Sequence, residues 1–221
     1  MSIMKSARIR AALDALIHIF NLVTVALCVL TFFRRTGDGN MQVVGAVCFR
    51  YFTVDSNILA ALTGLAALPY NLRTLRRGSG TLPEWAAVLR GVGTAAVMVT
   101  FLTVMLFLGP LFGYRGMFSG MNIYLHGVCP LLALVSFTLL EREPELSAGK
   151  SLLGVTPVIL YGAVYLTQVV VRRTWPDFYG FNLGGHWPVS MVVMLAATAL
   201  LCLGLRALRM PRKTRQNVSL N

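Results

Sequence analysis

Six stretches of roughly 20 mostly apolar residues divide this chain, and that is the length a helix needs to cross the hydrocarbon core of a bilayer. They fall near 11–33, 46–69, 85–108, 121–140, 152–171 and 187–208. Charged residues make up 13% of the chain, about half the share usual in a soluble domain. The expectation is an all-α integral membrane bundle: one six-span domain over 1–221, with a basic tail at 209–221. The first stretch follows Lys5, Arg8 and Arg10 like the core of a signal peptide, but it is too long for one and is interrupted by Asp14, His18 and Asn21. Cys28 follows Leu27 rather than a small residue, so no lipoprotein cleavage site is expected.

The net charge is +12, yet the basic residues gather at segment ends rather than along one face. That pattern suits anionic headgroups and not nucleic acid. Thirteen Lys and Arg fall on the side shared by both termini and the second and fourth loops, against five in the other three loops. The positive-inside rule then places both termini in the cytoplasm. No repeat is evident. Gly91 and Ala95, or Ala196 and Ala199, offer close-packing helix faces. Cys28, Cys48, Cys129 and Cys202 have no CxxC spacing and read as buried packing residues.

The run FRYFTVDSNIL at 49–59 carries the densest chemistry. It puts Arg50, Thr53, Asp55, Ser56 and Asn57 at the opening of the second span. Polar side chains are expensive in lipid and turn to the protein interior, where they mark candidate sites. On a helix Thr53 shares a face with Ser56 and Asn57, while Asp55 lies about 200° round. His126, with Asn122 one turn before it, enters the fourth span from the same side at a similar depth. The loop RRTWPDFYGFNLGGHW adds Asp177, Asn182 and His186 there. A hydroxyl beside an imidazole is a nucleophile with its general base. Thr53 is the first candidate and Ser56 the second. Ser56, Asn57 or a freed backbone N–H would serve the oxyanion, and Asn122 or Asp177 would orient the imidazole. Arg50 would hold a substrate carboxylate or pair with Asp55. The ordinary reading of the same residues is hydrogen bonding to their own backbone and between helices.

Asp14, His18 and Asn21 form a second polar face, and Tyr161, Tyr165 and Gln168 repeat its spacing in the fifth span. Both would line a proton or solute path, or simply join helices, which is the commoner role. Arg90 reads as a side chain reaching out to the cytoplasmic interface. Bis-histidine haem needs two histidines at one depth, and His18 and His126 fall in opposite leaflets. No metal or organic cofactor is expected.

Arg50-Tyr51-Phe52-Thr53 and Asn122-x-x-x-His126 resemble the androgen-induced and androgen-dependent membrane proteins, a six-span family with bacterial relatives. The animal members are threonine hydrolases of fatty acid esters of hydroxy fatty acids. The resemblance implies Thr53 as nucleophile and His126 as base. TVDSN at 53–57, the run His126-Gly-Val-Cys129-Pro130 and TWPDFYGFNL at 174–183 are similar to the bacterial branch, which implies a bacterial cytoplasmic membrane.

Two functions follow as expectations. One is an intramembrane lipid-ester hydrolase, taking a fatty-acyl ester from surrounding membrane lipids. The other is a small transporter or lipid-binding protein working through the first and fifth spans. Pro130 and Pro157 are the prolines well inside spans, and repeat symmetry is lacking; both tilt the balance from transporter to enzyme.

Overall fold

The computed structural model describes residues 2–34, 44–141 and 143–210. Arg35, Arg142 and the tail beyond Met210 lie outside them, with their share of the loop charges. The described residues are mostly helical, without strands. The long elements are α1 (Ser2–Arg34), α2 (Phe52–Arg77), α3 (Glu84–Phe112), α4 (Tyr124–Leu140), α5 (Ala148–Val171) and α6 (Trp187–Arg209). Five are long and apolar enough to cross a bilayer, while α4 is a shorter apolar helix. Several such helices are compatible with a multi-pass membrane protein. Polarity is inverted relative to a soluble fold: Leu106 is 75% exposed and Leu200 71%, while Asp14 is 2% and Arg90 1% exposed.

Helices α1, α2 and α3 pack antiparallel in sequence order. Asp14 meets Asn71 and His18 meets Gly64, fixing α1 on α2. Ser56 meets Thr100 while Gly93 lies against Thr63, fixing α2 on α3. Close approach depends on glycine here: a Cβ on Gly93 would lie 2.3 Å from Thr63 Oγ1, and one on Gly64 would lie 2.8 Å from His18 Nδ1. Ala95 is buried as expected, but Ala196 faces outward on α6. The four cysteines are buried and unpaired, as packing residues.

His18 is bonded to carboxylates at Nε2 and has no room to retreat from a new methyl group. Gly64→Ala is therefore expected to destabilise the fold by about 1–3 kcal/mol, the usual cost of overpacking. A thermal melt in detergent that matches wild type would contradict this.

Helix α4 opens and closes in π-helical turns, Tyr124–Val128 and Ser136–Leu140. Such turns add a residue to the helix and re-aim its side chains, often at functional sites. The first carries His126, and the second ends beside Glu141.

Candidate functional site

Thr53 stands in the first turn of α2, where a helix leaves its leading N–H groups without intrahelical partners. One partner comes from the loop before α6: Phe52 N donates to the Tyr179 hydroxyl at 3.0 Å. The side chains of Thr53 and Tyr161 lie beside that hydroxyl. Tyr161 gives its proton to the Arg50 carbonyl at 2.6 Å, so toward Tyr179 its oxygen can only accept. Burial, first of all, pushes the Tyr179 phenol up to about 12. It is a neutral donor at ordinary pH and no base.

Tyr179 is itself held firmly. Its N–H donates to the Tyr165 hydroxyl at 3.1 Å, and Tyr165 donates to Asp177 Oδ1 at 2.6 Å. Asp177 Oδ2 accepts from Asn182 N at 3.1 Å, closing the loop. Asp177 and Asn182 thus shape the loop that carries Tyr179 instead of touching Thr53. His186 is exposed and immediately precedes α6, outside the cluster. The sequence marks this loop as rich in aromatics, but nothing in it distinguishes Tyr179 from its neighbours.

Thr53 lines a narrow apolar pocket with about 50 Å³ of free interior. Val99, Thr103, Phe181, Ser190 and Met194 also line a wider groove of about 350 Å³ between α3 and α6. That groove reaches the outer surface at Leu106 and Val193. The two cavities share a mostly apolar wall, which leads from the outer surface of the bundle toward Thr53, with the Thr103 and Ser190 hydroxyls along it.

The other members of the Thr53 face are committed elsewhere. Ser56 is fully buried, 2.8 Å from Thr100 Oγ1 and 3.2 Å from the Thr53 carbonyl. Asn57 Nδ2 donates to the Thr53 carbonyl at 2.7 Å and to the Leu125 carbonyl at 2.9 Å. It ties the turn of Thr53 to the turn of His126. These contacts are the backbone and interhelical bonding anticipated as the ordinary reading, so neither side chain is left to serve an oxyanion. Asp55 faces a separate groove beside Trp175. Arg50 lies over the Trp175 ring at 5.4 Å and makes no ion pair with Asp55 among the described residues.

His126 is buried, with its ring edge-on to Phe118. Its Nδ1 is 2.5 Å from the Met117 carbonyl. A carbonyl can only accept, so Nδ1 carries the hydrogen and Nε2 keeps the free lone pair, the arrangement a general base needs. The orienting group is thus a backbone oxygen rather than Asn122 or Asp177. Asn122 uses its backbone N–H to close the turn onto Ser119 at 3.1 Å. His126 does not line the Thr53 pocket. Phe118, which meets the His126 ring edge-on, packs against the same cluster as Phe52 and Tyr179.

Arg90 does not reach outward. Its Nε lies 2.9 and 3.0 Å from the two oxygens of Glu141, and its Nη2 donates to Ser136 at 3.0 Å. Asp14, His18 and Asn71 complete that second polar cluster, well away from Thr53 along α2. Across protein-family models, curated proteins and solved structures, nothing matches this chain.

Proposed function

We propose that the protein is an intramembrane lipid-ester hydrolase, with six spans including α4 and both termini on the cytoplasmic side. Thr53 is the nucleophile and His126 the base. The observation that carries this reading is the mostly apolar wall leading from the bundle surface toward Thr53. It suits a fatty-acyl ester entering sideways from the bilayer, and fatty acid esters of hydroxy fatty acids are the class that the motif resemblance suggests. The same resemblance points to a bacterial cytoplasmic membrane.

The chemistry balances without a cofactor. Thr53 Oγ1 forms a bond to the ester carbonyl carbon as His126 Nε2 takes its proton. The tetrahedral oxyanion collapses, the ester C–O bond breaks, and the leaving alkoxide takes the proton back from His126. Water then attacks the acyl-threonine by the same route and releases the fatty acid. Tyr179 O–H is the donor nearest at hand for the oxyanion. Catalytic hydrogen bonds commonly tighten only once substrate is bound. Asn57 ties the turn of Thr53 to the turn of His126 through two backbone carbonyls.

The test is labelling of purified protein by a fluorophosphonate probe. Wild type and Ser56→Ala are expected to take the label. Thr53→Ala and His126→Ala are expected to lose it by at least about 100-fold, the lower bound for general-base catalysis, with unchanged elution on size exclusion. Wild type that takes no label, or label that survives Thr53→Ala, overturns the assignment.

A further inference from the structure

An open groove of about 270 Å³ runs between α2 and α5. It shares Phe52 and Tyr161 with the Thr53 pocket, but Thr53 does not line it. Phe49, Phe52, Tyr161 and Trp175 give it four aromatic rings, with the Phe52 and Tyr161 centroids 5.0 Å apart. Leu59 on α2 and Pro157, Leu160 and Val164 on α5 make the rest of the wall aliphatic. Leu160 is 63% exposed and Val164 51%, so the groove opens sideways, where bilayer chains would lie.

Asp55 is the one charged residue lining the groove. It is half-buried and makes no ion pair among the described residues. The polar side chains beside it are spent. Tyr161 donates to the Arg50 carbonyl at 2.6 Å, and Ser56 lies 2.8 Å from Thr100 Oγ1. A carboxylate among aromatic rings is thus left without a cation. The faces of such rings are negative and attract an ammonium group, which is how aromatic cages hold methylated amines.

We propose that this groove binds a long-chain alkylammonium, an amphiphile drawn from the membrane. Its nitrogen sits between Asp55 and the rings, and its single chain follows the aliphatic wall into the bilayer. The order of groups along α2 selects this occupant. Leu59 follows Asp55 by one turn, about 6 Å, so the chain has to join the nitrogen directly. In a phospholipid a phosphate stands between the chains and the ammonium, and it would meet Asp55 charge against like charge. A fatty acid would bring carboxylate to carboxylate. The volume falls just below the roughly 300–1,000 Å³ of drug-sized sites, which suits a small head group.

Three arginines lie nearby without lining the groove. Arg50 rests over the Trp175 ring at 5.4 Å, and Arg172 and Arg173 are exposed in the chain leading to Trp175. None of them pairs with Asp55 among the described residues, so its charge is left for the ligand. None of this rests on Thr53 being a nucleophile.

The chain has three tryptophans, so Trp85→Phe with Trp187→Phe leaves Trp175 as the fluorescent reporter of the groove. The full protein in dodecyl maltoside micelles is titrated at neutral pH with dodecyltrimethylammonium. A saturable change in Trp175 emission is expected. Asp55→Asn should weaken binding by about tenfold and Asp55→Glu should preserve it. Dodecanoate, dodecylphosphocholine and chainless tetramethylammonium should all bind more weakly. A response that does not saturate, or one that dodecanoate matches, overturns the cation. Tighter binding of dodecylphosphocholine overturns the alkylammonium in favour of a phospholipid head group, and equal binding of tetramethylammonium overturns the membrane amphiphile in favour of a soluble amine. Undiminished affinity in Asp55→Asn removes Asp55 from the site. The ligand series is read with Asp55 in place, so failure of its variants to fold leaves the test intact.

Discussion

Arg90→Leu is expected to destabilise the fold by about 3–5 kcal/mol, the range for removing one partner of a buried ion pair. The side chain is 1% exposed and supplies donors to Glu141 and Ser136. Leucine fills much of the space, so the loss is electrostatic rather than a cavity. The Glu141 carboxylate would keep His18 as its side-chain hydrogen-bond partner, with the Arg209 guanidinium nearby, and Ser136 would lose a donor while still giving its own proton to Asp14. Pairing Arg90→Leu with Glu141→Leu removes both charges, and the double variant is expected to lose less than the two single losses added together. Thermal unfolding in detergent, followed by size exclusion, measures all three. Single variants as stable as wild type, or strict additivity, would show that this polar cluster contributes little.

The polar faces visible in the sequence differ from those that matter in the fold for a physical reason. Asp14, His18 and Asn21 could be read as one face because they lie on one helix, where spacing reveals direction. Arg90 could not be placed so easily. Whether such a side chain reaches outward or stays inside depends on a partner at its own depth, and Glu141 lies 51 residues away at the end of another helix. The same holds at Thr53. Its helical neighbours Ser56 and Asn57 were legible from spacing, but their commitment to Thr100 and Leu125 belongs to packing between helices. The group that orients His126 is a backbone carbonyl, which no side-chain motif can announce. The apolar stretches were the most legible feature, since hydrocarbon length alone sets them. Even there, α4 is shorter than its apolar run suggests, because the chain turns from Ser119 to Asn122 before the helix starts.

Tyr179→Phe is expected to lower acylation of Thr53 by about 10²–10³-fold if this hydroxyl donates to the developing oxyanion, the range for one oxyanion donor. The ring stays in place, stacked near Phe181 and edge-on to Tyr51, so the loop keeps its shape. What goes is the acceptor for Phe52 N–H and the hydroxyl beside Thr53. Loss of the cap alone would cost only about 1 kcal/mol of stability. Tyr161→Phe is the matched control: it removes an acceptor for Tyr179 and should change acylation far less. The pH dependence of stability gives a second readout. Burial raises the Tyr179 phenol from its ordinary value near 10 to about 12 in the folded protein. Its contribution is therefore complete below pH 10 and is lost as pH rises toward 12, where the unfolded chain ionises and the folded one resists. Wild type should lose thermal stability faster than Tyr179→Phe between pH 10 and 11.5. An unchanged labelling rate in Tyr179→Phe would remove Tyr179 from the chemistry, and parallel alkaline melts would show that its hydroxyl is not buried as described.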